Sequence, residues 1–89
     1  MGGDIIMIHV CRITHYDDGL KVLPSGAVMK KFRTIDSEGY TDCICFNHFI
    51  FDSIVKAKHD NSLVALDVSL ANNKSDLLVK SFKGSGNVD

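Results

Sequence analysis

The segment from Phe32 to Phe46 constrains the fold of this chain more than any other. Two runs of strand-forming residues, Phe32 to Ile35 and Tyr40 to Phe46, meet at Asp36-Ser37-Glu38-Gly39, a cluster of turn formers. Asn47 follows at once, and after it Ile50, Phe51, Ile54 and Val55 recur at three- and four-residue spacing. The first part has the period of a β-hairpin with a tight turn, and the second that of a short amphipathic helix with Asn47 as its N-cap.

The flanking sequence adds three more strands. Ile5 to His15 alternates loosely and predicts a long, bent first strand, after which Asp17-Asp18-Gly19 and Pro24-Ser25-Gly26 bound an expected loop. Ser62 to Ala71 alternates most regularly, with Val64, Leu66, Val68 and Leu70 on one face and Ala65, Asp67 and Ser69 on the other. Asn72-Asn73-Lys74-Ser75 then turns the chain into a last strand, Leu77 to Phe82, so these two strands form a hairpin. Residues 84–89 have little to bury and are expected to be a flexible C-terminal tail behind a domain spanning 1–83. The expected class is all-β with one short helix, in the order three strands, helix, two strands.

That order, together with the hairpin, resembles the OB-fold nucleic-acid-binding domains found in lysyl- and aspartyl-tRNA synthetases, in the bacterial replicative polymerase and in many single-strand binders. Their recurring pattern is an apolar residue, one residue, Asp, two residues, Gly, then alternating apolar positions. Here Asp36, Gly39, Thr41, Cys43, Cys45 and Phe46 match it without a gap, while Thr34 and Thr41 stand where the family usually has large aliphatic residues. The resemblance implies a five-stranded OB-fold barrel with the helix between strands three and four. It also implies a ligand groove on the outer face of strands two and three.

A chain of 89 residues with 45% hydrophobic content is expected to form one domain around one core. No apolar run approaches the ~20 residues that span a bilayer, and the N-terminus lacks a basic region followed by a long apolar segment, so a cytoplasmic protein with no membrane contact is expected. The three cysteines, two of them alternating at Cys43 and Cys45, read as small core residues rather than as disulfide partners. Cys43, Cys45 and His48 could be gathered into a metal site, but one-residue spacing on a strand would need further ligands from elsewhere, so no metal and no other cofactor is expected. No phosphate-binding glycine loop, His-Glu-x-x-His or Gly-x-Ser-x-Gly pattern is present, and the chain is read as a non-enzyme.

The candidate ligand face follows from the hairpin register. If Asp36 and Gly39 flank a two-residue turn, Ile35 opposes Tyr40, Arg33 opposes Asp42, Lys31 opposes Ile44 and Met29 opposes Phe46 on the outer face, with Phe32, Thr34, Cys43 and Cys45 inside. A type I turn with a bulge at Gly39 would slip the pairing by one and gather Phe32, Ile44 and Phe46 on one face. Lys31 and Arg33 share a face in both registers, while Phe32 has two readings, a base-stacking ring or a core residue.

Net charge is slightly negative, with 10 Lys plus Arg against 11 Asp plus Glu, yet Lys21 to Arg33 carries four cations and no acid. The expected nucleic-acid-binding residues are Lys30, Lys31, Phe32 and Arg33, extended by Arg12, Lys21, Tyr40, Ile44, Phe46, Lys74 and Lys80. The expected ligand is single-stranded DNA, bound with little sequence preference in replication, recombination or repair, with replication proteins or a second copy as further partners. The small size resembles minimal single-strand binders of phages and mobile elements. An RNA- or tRNA-binding module on the same groove is the alternative. So is a protein-interaction subunit using Ile44, Phe46 and Phe82.

Overall fold

The computed structural model describes residues 7–73 and 75–86, apart from the side chains of Asp18 and Leu20. The chain runs β1 (Met7–Val22), β2 (Val28–Asp36), β3 (Gly39–Cys45), α1 (His48–Asp60), β4 (Leu63–Leu70) and β5 (Leu77–Gly86). The strands close into a barrel in the spatial order β1-β2-β3-β5-β4, an architecture consistent with an OB-like fold.

Closure depends on the length of β1. Its first half, Met7 to Arg12, pairs antiparallel with β4, and its second half, Arg12 to Val22, with β2. Register shifts between Ile13 and His15 and between Asp17 and Lys21 bend the strand enough to serve both neighbours. Asp17-Asp18-Gly19, expected as a loop, therefore lies inside β1. There the Asp17 carboxylate accepts the Gly19 N–H at 2.8 Å, so the turn-forming residues build a bulge rather than end the strand. The true connection is Leu23 to Ala27, where Gly26 N–H donates to Leu23 O with Pro24 in the second turn position and Gly26 at φ +88°.

The hairpin between β2 and β3 takes the two-residue register, with Asp36 opposite Gly39, Arg33 opposite Asp42 and Lys31 opposite Ile44. Gly39 carries a positive φ of +117°, which its lack of a side chain allows, and the pairing is not slipped. Met29 and Phe46 do not pair, because β3 ends at Cys45. A parallel pairing of Cys43 and Ile44 with Leu77 and Leu78 joins β3 to β5.

Inward positions build the core from Cys11, Ile13, Phe32, Cys43, Cys45, Val64, Leu66, Val68 and Val79, with α1 contributing Phe51, Ile54 and Ala57. The helix is fixed at both ends. Asn47 Oδ1 accepts the N–H groups of Phe49 and Ile50 at 2.9 and 3.2 Å. At the other end Asn61 takes the left-handed conformation, and Ser62 N–H donates to Ala57 O.

Two further expectations are corrected. Alternation puts Leu70 on one face with Val64, Leu66 and Val68, but it is exposed and Ala71 is buried instead, because the strand ends there and the alternation breaks. The last strand also runs beyond Phe82: Gly84, Ser85 and Gly86 pair with Ala65, Val64 and Leu63, so backbone hydrogen bonding holds residues that have little side chain to bury. The rest of the expected tail, 87–89, lies outside the described residues.

Candidate functional site

Because Phe32 and Thr34 on β2 and Cys43 and Cys45 on β3 point inward, Lys31, Arg33 and Asp42 stand on the outer face, and the register ranges them in rows. One row crosses the strands as Asp17, Lys31, Ile44 and Leu78, and the next as His15, Arg33 and Asp42. An open depression is lined by His15, Tyr16, Asp17, Lys31, Phe32, Arg33 and Asp42.

Arg33 does not stand alone in it. Its Nε donates to Asp42 Oδ1 at 2.8 Å with both side chains about half exposed. The hydrogen bond from Arg33 holds the Asp42 carboxyl below its ordinary value and raises the guanidinium further above its own. In such an exposed position water screens the pair and leaves it easily exchanged. Lys31 is exposed and makes no salt bridge among the described residues, although its charge helps to hold the Asp42 carboxyl down.

The other sequence candidates separate. Phe32 borders the depression but is 4% exposed and belongs to the core, so its face is not offered for stacking. Lys30 has the inward parity of β2 and folds over the barrel end, with Nζ 3.4 Å from Gly19 O and 5.3 Å from the Phe51 ring centroid. Arg12 donates from Nη1 to Asn61 O at 2.6 Å, tying β1 to the C-terminus of α1. Ile44 is on the outer face but only 8% exposed, which makes it a floor rather than a contact knob. Lys21 is exposed opposite Met29 near the far end of β1, and Tyr40 is exposed beside the hairpin turn, opposite Ile35. Lys74 lies outside the described residues.

Phe46 and Lys80, distant in sequence, line one open hollow where β3 runs into α1, with His48, Phe49 and Leu78. Sequence reasoning weighed His48 only for a metal set and did not single out Phe49. The available signal was that Phe49 falls outside the Ile50, Phe51, Ile54 stripe, which leaves a large aromatic on the solvent side of an amphipathic helix.

Inside the barrel, His9, Thr34 and the thiols of Cys11 and Cys43 come close. Thr34 Oγ1 donates to Thr41 O at 3.3 Å and is 2.9 Å from His9 Nε2, so the hydroxyl accepts the imidazole N–H. His9 Nδ1 lies 3.7 Å from Asp36 Oδ2. Burial pushes the Cys11 and Cys45 thiols up to about 11 and Cys43 to about 12, and the polar Thr34 hydroxyl beside Cys11 and Cys43 only partly opposes this. Protonated, buried thiols are poor nucleophiles and poor metal ligands. Among the described residues no three His, Cys, Asp or Glu side chains are arranged to hold a metal ion, and no helix is long and apolar enough to cross a membrane.

No family model, curated protein or solved structure compared with this chain matches it.

Proposed function

We propose that this chain is an OB-like module that binds single-stranded nucleic acid, DNA in the first instance, across the outer face of β2, β3 and β5. Binding is of low sequence preference and serves replication, recombination or repair. The observation that carries this reading is the strand register, in which exposed Lys31 and Arg33 share one face with the apolar floor of Ile44 and Leu78. Phosphates of a splayed strand would meet the cations and its bases the apolar floor, contacts open to any base sequence. A duplex keeps its base faces stacked and gains only the charge contacts.

Fluorescence anisotropy with labelled dT, rU and duplex oligonucleotides, at low and moderate salt, tests it. The expected order is dT at least as tight as rU and both tighter than duplex, with affinity falling steeply as salt rises. Tighter binding of rU would turn the reading to RNA. Absence of binding to all three at micromolar protein would overturn it.

A further inference from the structure

The hollow between β3 and α1 differs in chemistry from the strand face it adjoins. Among its described lining residues are one lysine, one histidine and no carboxylate, whereas the depression around Lys31 and Arg33 also contains Asp17 and Asp42. Phe46 is 44% and Phe49 71% exposed, although Phe51 and Ile54 of the same helix are buried. The rings of His48 and Phe49 lie 4.1 Å apart, tilted by 36°, so the neighbouring imidazole braces the exposed phenyl ring. Ile44 pairs with Lys31 on one side and Leu78 on the other, which makes the hollow continuous with the strand face.

We propose that this ledge is a base-stacking subsite for a single strand, with Phe49 and Phe46 as stacking surfaces and Lys80 as the phosphate contact. This rests on the single-strand-binding reading above and extends its path beyond the strands. Aromatic faces beside a cation, without competing carboxylates, match the alternation of bases and phosphates along a single strand. The Phe49 and Ile50 amides of α1 do not provide the contact, since Asn47 Oδ1 already accepts from both.

The chain contains no tryptophan, so Phe49→Trp introduces a single reporter at the ledge. Titration with dT oligonucleotide should quench its fluorescence in step with the anisotropy change. Phe49→Ala should weaken dT binding about tenfold with an unchanged salt slope. Lys80→Ala should lower the slope by about 0.7. Binding by anisotropy without quenching, and with Phe49→Ala as tight as wild type, would overturn the ledge alone and leave the strand-face reading standing. Failure of the wild-type chain to bind any oligonucleotide would overturn both. A blue shift of the Phe49→Trp emission that grows with protein concentration, without nucleic acid, would also overturn the ledge as a stacking site, because it would then be a contact between copies.

Discussion

Cys11, Cys43 and Cys45 illustrate how burial alone sets the behaviour of a residue. Their ordinary value is 9.0, and in the folded chain they are held at about 11, 12 and 11 by loss of solvation. Below pH 9 the thiols keep their protons whether the chain is folded or not. As pH rises above that, the unfolded chain releases protons that the folded chain retains, so stability falls, by about 1.4 kcal/mol per pH unit for each thiol until the folded values are reached. Urea unfolding should therefore show a marked loss of stability between pH 9 and 11, and Cys43→Ala should show a shallower decline over the same window. Equal slopes for the two proteins would mean that Cys43 ionises as readily folded as unfolded. The alternation of Cys43 and Cys45 announced their burial in the sequence. The same register placed Thr34 inside, but the partners that satisfy its hydroxyl, Thr41 O and His9, were not legible, since His9 lies 25 residues away in the chain.

At the scale of elements, α1 rests on a local signal and β1 on a distant one. Asn47 and the spacing of Ile50, Phe51 and Ile54 mark the helix in the sequence, since capping and amphipathic period are properties of neighbouring residues. Asn47→Ala should remove two side-chain hydrogen bonds and lower stability by about 1 kcal/mol, measured by chemical denaturation, while the barrel stays intact. No change in stability would mean that packing of Phe51 and Ile54 holds the helix start without the cap. In contrast, β1 reaches Val22 because its two halves find different partners, and turn-forming Asp17 and Gly19 are absorbed as a bulge. Only the tertiary pairing decides whether such residues interrupt a strand or bend it. The same holds for Gly84 to Gly86, which continue β5 by pairing with β4 despite a composition that reads as tail.

For the whole molecule, charge must be read by surface, not by sum. A chain with net charge −1 gathers exposed Lys31 and Arg33 on one face, but Asp42 holds Arg33 in an exposed ion pair. Asp42→Asn should free that guanidinium and tighten dT binding at low salt by about two- to fivefold, the scale of one surface pair. Weaker binding of this variant would mean that Asp42 serves to aim Arg33 at the ligand. The outer placement of Lys31 and Arg33 was legible because strand parity fixed it in either register. The company of Phe46, Phe49 and Lys80 was not, because a parallel pairing of β3 with β5 brings them together across more than thirty residues of chain.

The most direct test is the salt dependence of dT binding for the wild-type chain and for the doubly substituted Lys31→Ala, Arg33→Ala protein. If these side chains meet phosphates, the variant should remain folded by circular dichroism, bind more weakly, and lose about one to two units from the slope of log affinity against log salt. An unchanged slope and unchanged affinity in a folded variant would contradict the account, because the ligand would then pass over some other face of the barrel.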